Sequence, residues 1–221
     1  MHAVPPDSEV EREKRAAAEA AAELVADGMT VGLGTGSTVA YLLPRLAARG
    51  LGIRCVATSP GTEREARQVG LRVEPFDHLD LLDIAIDGAD QVAPDGWLVK
   101  GGGGAHFREK IVAAAAERFV VIVDSGKRME ALAAPVPLEL SGFGLRATLR
   151  ALGEAELRDA PTTPDGGVLA DYLGPVADPA GLAGRLEAIP GVVGHGLFPP
   201  ELVSDVLVGR GDAVQAVAPS R

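Results

Sequence analysis

Cysteine is nearly missing from this chain: Cys55 is the only one in 221 residues. No internal disulfide can form, which removes the disulfide-stapled secreted scaffold and fits a reducing compartment. Aromatic residues make up only 4%, so the core must be mostly aliphatic. Basic residues are outnumbered, 21 against 31 acidic, giving a net charge of −10 and a pI near 4.9. Such a balance is unsuited to general binding of nucleic acid or anionic membrane. It leaves room for an anionic small ligand, because a local site can oppose the global charge. Long hydrophobic runs are lacking too. The Ala-rich stretch from Ala16 to Ala26 is broken by Glu19 and Glu23, and nothing reaches the ~18 apolar residues of a membrane span. The first residues show no basic-then-apolar signal pattern, so a cytoplasmic location is expected.

What is present is the make-up of a globular protein of one or two domains, 47% hydrophobic and 24% charged. Its 28 glycines and 16 prolines point to many tight turns. Periodicity predicts a helix over 7–26, with Ser8 and Glu11 as a capping box. A strand over 29–33, a helix over 39–48, a strand over 53–58 and a helix over 62–69 follow. Short strands are expected over 71–75, 82–86 and 97–99, then a helix over 105–119 and a buried strand over 119–123. Strands alternating with helices mean an α/β fold, a mostly parallel sheet flanked by helices. The pattern changes near Ala133, where Pro135 and Pro137 punctuate it. From there the reading is α+β with antiparallel pairing: strands over 136–140, 156–158 and 192–197, helices over 145–152 and 178–188. The tail, 205–218, reads as two strands around Gly209-Arg210-Gly211-Asp212.

Three constellations carry chemistry. Gly32-Leu33-Gly34-Thr35-Gly36-Ser37-Thr38 follows a strand and opens a helix, where bare backbone N–H groups and the helix dipole suit a phosphate. A tight turn without ligand is the plain alternative. No lysine makes it a Walker loop, and Ser37 with no acid after the second strand disfavours a dinucleotide. Asp87-Gly88-Ala89-Asp90 ends an apolar run; its acids can hold sugar hydroxyls or move a proton, or form a solvated turn. Lys100-Gly101-Gly102-Gly103-Gly104 then leads into Arg108-Glu109-Lys110. A cation beside exposed N–H groups is the make-up of an oxyanion site. Glu109 suits proton transfer between adjacent carbons, or serves only as an acid near a helix N-terminus. His106 and Glu109 stand at i, i+3, but the other histidines lack ligand spacing, so no metal is expected. Cys55 is expected in the core, and core packing is also the expectation for Trp97 and Phe107.

Taken together, in this order and spacing, the three motifs resemble the ribose-5-phosphate isomerases of type A. Weaker similarity runs through 124–127, 136–140 and 189–198. The resemblance implies a Rossmann-like domain, 1–132 and 205–221, with a small α+β domain, 133–204, inserted before the final strands. It implies interconversion of D-ribose 5-phosphate and D-ribulose 5-phosphate through an enediolate, in the non-oxidative pentose phosphate pathway, without metal or organic cofactor. Glu109 matches the general base, Asp87 and Asp90 the acids near the sugar hydroxyls and ring opening, and Lys100 the oxyanion partner. Thr35, Gly36, Ser37, Thr38, Gly88, Ala89, Gly101, Gly102, Gly103 and Lys127 match substrate-binding positions. Members of the family are homodimers or homotetramers.

Three places depart from the family's pattern: Gln91 stands where an acid is common, His106-Phe107 where small or aliphatic residues are usual, and Pro199-Pro200-Glu201-Leu202 replaces a Gly/Arg-containing stretch. Alternatives to the isomerase are a non-catalytic sugar-phosphate sensor, an isomerase of a related sugar phosphate, and a deaminase or acyl-CoA transferase on a related fold.

Overall fold

The computed structural model describes residues 8–218. Helix α1 (Glu9–Ala22) opens with the expected capping box: Ser8 Oγ accepts the Glu11 N–H at 3.3 Å and the Glu11 carboxylate accepts the Ser8 N–H at 2.9 Å. Then come β1 (Thr30–Leu33), α2 (Ser37–Ala48), β2 (Arg54–Ala57), α3 (Pro60–Gln68) and β3 (Ile84–Asp87). Two short strands, β4 (Gln91–Val92) and β5 (Leu98–Val99), precede α4 (His106–Ala114) and β6 (Phe119–Asp124). The next block holds β7 (Val136–Leu140), α5 (Leu145–Leu152), β8 (Ala155–Leu157), β9 (Val168–Tyr172), α6 (Pro179–Glu187) and β10 (Val192–His195). It is followed by β11 (Leu197–Phe198), β12 (Asp205–Arg210) and β13 (Ala213–Val217).

The largest sheet has the order β13-β12-β6-β3-β1-β2, parallel throughout except for the β12–β13 hairpin. β6 shows why the sheet is covered on both faces. Val120 and Ile122 join one core with α1 and α2, including Ala17, Ala18, Ala21, Ala22 and Leu42. Phe119, Val121 and Val123 join a second core with Val112 of α4, Leu82 and Phe198. A continuous apolar run is what a parallel strand buried on both sides requires. The alanines of α1 let its backbone sit close to β12 and β6.

A four-stranded antiparallel sheet, β10-β7-β9-β8, has its own core of Val136, Leu138, Leu140, Tyr172, Leu182 and Leu186. A three-stranded sheet, β11-β5-β4, lies between the two in sequence logic, since β11 returns to pair with β5.

Several expected elements have shifted ends. α1 stops at Ala22, four residues short of the expected 26, where the Leu24 and Val25 N–H groups donate three residues back to Ala21 and Ala22. Four further expectations differ from the structure. α2 starts at Ser37, two residues early, because the loop before it already turns at Gly36. The 71–75 strand reduces to one bridge between Val73 and Cys55; the Cys55 N–H donates to Arg72 and the Glu74 N–H to Cys55, and Pro75 has no donor to continue. α4 stops at Ala114, since the chain is needed to bond Leu82 through Ala115 and Glu117 and so align β6 beside β3. The 192–197 strand divides at Gly196, whose N–H donates to Pro137 while its carbonyl accepts the Lys100 N–H at 2.8 Å. That crossing carries the chain from the small sheet to β5, directly behind Lys100.

Candidate active site

The strand order reverses at β1 and β3: β2 extends one way from β1, and β3, β6 and β12 extend the other. In open α/β sheets, ligand clefts form outside the carboxyl ends of the strands at such a switch point. β1 ends there in the Gly34–Gly36 turn and β3 ends in Asp87-Gly88. The cleft is lined by Thr35, Gly36, Ser37, Thr38, Gly88, Ala89, Asp90, Lys100, Gly101, Gly102, Gly103, Glu109 and Lys127, together with Lys14 and Val39. Asp87 lies just beneath the lining. The residues expected to be catalytic or substrate-binding therefore meet in one place.

At the floor, three charges are buried together. Lys100, at the end of β5, is 2% exposed; Asp87 is 3% and Glu109 4%. The Lys100 ammonium lies 2.9 Å from Asp87 Oδ2 and 3.2 Å from Glu109 Oε2, and it donates to the Gly88 carbonyl. Asp87 Oδ1 accepts the N–H groups of Gly88 at 2.7 Å and Thr35 at 3.1 Å. Asp87 Oδ2 and Glu109 Oε2 meet the ammonium as ion pairs but accept no aligned hydrogen bond among the described residues. Gly34 is dictated by this packing, because a Cβ there would stand 1.9 Å from the Asp87 carboxyl.

Two carboxylates sharing one cation cannot both be comfortable. Burial raises the Glu109 proton affinity, and the nearby Asp87 charge adds to it; Lys100 offsets only part, leaving a pKa of about 8 against an ordinary 4.5. Burial also raises Asp87, with Lys100 opposing. For Lys100, burial alone would favour the neutral amine, but Asp87 and Glu109 outweigh it and hold the ammonium charged. The result is a carboxylate poised to take or give a proton beside a fixed positive charge.

Above this floor is the glycine turn. The Gly104 N–H donates to the Gly101 carbonyl at 2.9 Å, closing a turn with Gly102 and Gly103 at its tip. Gly101 adopts φ +106° and touches His106, so a side chain there is excluded by both conformation and space. The Gly102 N–H donates to Asp90 Oδ2 at 2.7 Å. The Gly103 N–H donates to no group among the described residues.

The other end of the cleft is built on α2. Gly36 caps this helix without any side-chain hydrogen bond, so the first-turn N–H groups at Ser37 and Thr38 face the cleft. Thr35 Oγ1 is tied to Thr58 and Thr62 at 2.8 and 3.2 Å. Lys127 arrives from the turn after β6, held by the Glu13 carboxylate, which accepts the Ser125 N–H at 2.9 Å. Lys14 of α1 donates to Ser37 Oγ at 2.9 Å.

Lys14, Thr58 and Thr62 were not singled out from the sequence. Nothing in a lysine two turns into an alanine-rich helix, or in a Thr at a strand end, marks it locally; only the α1–α2 packing brings Lys14 over the loop.

His106 is fully buried, and burial followed by the Lys110 and Arg158 charges holds its pKa down to about 3. It is a neutral wedge against Gly101. Gln91 turns from the cleft and exchanges two 2.8 Å hydrogen bonds with the Ala133 backbone. Pro200–Leu202 forms a 3₁₀ turn whose Leu202 packs on the second core. Phe107 borders a separate surface cavity, and Trp97 packs on the small-sheet core. Cys55 is fully buried. Among the described residues, no group of three His, Cys, Asp or Glu side chains is placed to hold a metal ion, and no helix is long and apolar enough to cross a membrane.

Comparison with known proteins bears on this cleft. Residues 54–213 match the family model for ribose 5-phosphate isomerase A (phosphoriboisomerase A). A ribose-5-phosphate isomerase A of Nitrobacter hamburgensis is 45% identical over 205 residues, covering 84% of this chain and 88% of the relative. The crystal structure of ribose 5 phosphate isomerase A from Neisseria gonorrhoeae superposes with a TM-score of 0.91 at 32% identity, covering 96% and 98% of the two chains. A D-ribose-5-phosphate isomerase solved in complex with phospho-erythronic acid superposes with a TM-score of 0.89 at 33% identity, covering 95% and 99%. With the family model matched over 54–213 and a 45%-identical relative aligned over 84% of its length, this chain belongs to the ribose 5-phosphate isomerase A family.

Proposed function

We propose that the cleft performs the family's reaction, the interconversion of D-ribose 5-phosphate and D-ribulose 5-phosphate, by proton transfer through Glu109. The protein is an isomerase, and its reaction belongs to the pentose phosphate pathway. The observation that carries the residue roles is the buried Glu109 carboxylate, with its pKa near 8, at ion-pair distance from Lys100 and below the glycine turn.

The phosphate sits at the α2 N-terminus, on the N–H and hydroxyl groups of Thr35 to Thr38, with Lys14 and Lys127 as countercharges. The sugar chain extends toward the floor, where Gly88, Ala89 and the acids Asp87 and Asp90 meet its hydroxyls and assist ring opening. Ionised Glu109 removes the proton from C2 of the open-chain aldose. The C–H electrons form the C1–C2 double bond, and the carbonyl electrons move to O1. Lys100 and the Gly103 N–H of the glycine turn meet the oxygen that becomes negative. Protonated Glu109 returns the proton to C1, and O2 passes its proton to O1, leaving the ketose. No electrons leave the substrate, so the step needs no redox partner. Phospho-erythronic acid, the ligand of the relative above, carries a planar carboxylate and a phosphate. That is the charge layout of a sugar-phosphate enediolate.

The reading extends to a cytoplasmic homodimer or homotetramer without resident metal or cofactor, with the small domain spanning 133–204. Light scattering of the purified chain tests the assembly. The residue roles are tested by following the reaction in D₂O with EDTA. Deuterium at C1 of the ketose and a loss of at least ~10²-fold in Glu109→Gln are expected. Undiminished turnover in that variant overturns the role of Glu109.

A further inference from the structure

The glycine turn is not held by its own domain alone. Arg158, just past β8 in the small sheet, donates from Nη1 to the Gly101 carbonyl at 2.8 Å and to the Gly102 carbonyl at 3.3 Å. Its remaining nitrogens are fixed by a two-pronged pair with Asp171 of β9: Nε to Oδ2 at 2.8 Å and Nη2 to Oδ1 at 2.6 Å. Both side chains are about four-fifths buried. The β8–β9 ladder continues into Arg158, whose N–H donates to Leu169, so its backbone is anchored as well.

The geometry of a trans peptide gives this contact a consequence. Within one peptide plane the C=O and the following N–H point in opposite directions. Holding the Gly101 carbonyl from the small-sheet side turns the Gly102 N–H the other way, where Asp90 accepts it at 2.7 Å. Holding the Gly102 carbonyl does the same for the Gly103 N–H, which lines the cleft and donates to no described group. Glycine has no side chain to resist rotation of these planes; the Gly101 carbonyl is also held within the turn by the Gly104 N–H, whereas the Gly102 carbonyl meets only Arg158 among the described residues. Four consecutive glycines would otherwise sample many orientations.

We infer that Arg158, set by Asp171, is a positioning residue for catalysis: it locks the Gly101–Gly102 and Gly102–Gly103 peptide planes, so that the Gly102 N–H stays on Asp90 and the Gly103 N–H faces the developing enediolate oxygen. The inference rests on the reading of that turn as the oxyanion site. A lysine at the same place would carry the charge without the planar fork needed to hold a carboxylate and two carbonyls together.

A second guanidinium–carboxylate pair serves as a control. Arg108 of α4 holds Asp165 in the β8–β9 turn at 2.6 and 2.7 Å, joining the same two regions beside Gly103 and Gly104 but without a hydrogen bond to either glycine carbonyl that Arg158 holds. The test compares Arg158→Met, Arg158→Lys, Arg108→Met and Glu109→Gln by steady-state kinetics, thermal melting and binding of phospho-erythronic acid and inorganic phosphate. For Arg158→Met, kcat falls about tenfold or more with KM within about threefold. Phospho-erythronic acid weakens by a factor matching the loss in kcat/KM, and phosphate binding is unchanged. Arg158→Lys shows the same pattern more mildly, and is read in its place if the Met variant does not fold. Arg108→Met lowers kcat less than threefold. Folded Arg158 variants with kcat within threefold of wild type overturn the inference. So does an equal loss in Arg108→Met, which would make the effect a general clamp between the regions. If Glu109→Gln turns over normally, the underlying site reading fails instead, and the two failures are told apart.

Discussion

The two ends of the cleft use the same residue type, lysine, to different effect. Lys100 is 2% exposed and locked between two carboxylates. Lys14 and Lys127 are half-exposed and border an open helix N-terminus. At the floor, burial raises the proton affinity of Asp87 and Glu109, and Lys100 opposes it at close range. At the α2 end, water screens the charges, so the lysines add only a moderate attraction for the dianion proposed to bind there. Burial, more than residue identity, divides catalysis from anchoring.

Removing Lys100 should break the comparison most severely. Lys100→Met leaves two buried carboxylates without their cation, and a loss of roughly 3–5 kcal/mol is expected. Urea unfolding at pH 8 reads it, with activity abolished. A loss as small as that of an exposed lysine would contradict the buried-trio account.

Next in size is Glu109→Gln. Here kcat drops at least ~10²-fold, yet the fold is not weakened, because Lys100 and Asp87 remain as a neutral pair. The stability profile also changes shape. Folded Glu109 keeps its proton up to about 8, whereas the ordinary value is 4.5. Between those values the folded state binds more protons than the unfolded one, so wild-type stability falls as pH rises through that window. Asp87, also raised by burial, contributes with the same sign. The Gln variant should lose much of that slope when urea unfolding is repeated from pH 5 to 9.

Smaller effects belong to the α2 end. Lys127→Ala and Lys14→Ala each raise KM for ribose 5-phosphate about five- to tenfold, the scale of one partly screened charge-assisted hydrogen bond, with kcat within about threefold. Initial-rate kinetics separate the two parameters. Smallest is the response to salt: raising ionic strength from 0.05 to 0.5 M should increase KM a few-fold and leave the pH midpoint of activity in place, since the floor is shielded from ions.

The sequence disclosed most of the floor and little of its support. Asp87, Lys100 and Glu109 announce themselves because each lies next to a glycine or an element end, where chemistry-bearing residues gather. The roles proposed for them come from the family resemblance of the combined motifs. The parallel sheet followed from apolar runs such as Phe119 to Val123, and the Ser8–Glu11 cap held to the residue. What stayed hidden depends on long-range approach. Lys14 reaches Ser37 across 23 positions, and Arg158 reaches Gly101 across 57. The break at Gly196 arises because two sheets compete for one strand, which local alternation cannot express. From sequence His106 shows only its i, i+3 spacing to Glu109; packing against Gly101 makes it a buried wedge.

The central claim is that burial and Asp87 lift Glu109 into the working pH range, and the pH dependence of kcat/KM tests it most directly. The base acts only when ionised, so kcat/KM should climb with pH and level off above about 8. Asp87→Asn, which removes the neighbouring charge, should move the midpoint of its residual activity downward. A wild-type profile already flat from pH 5.5 to 9 would show an ordinary carboxylate at Glu109 and contradict the account.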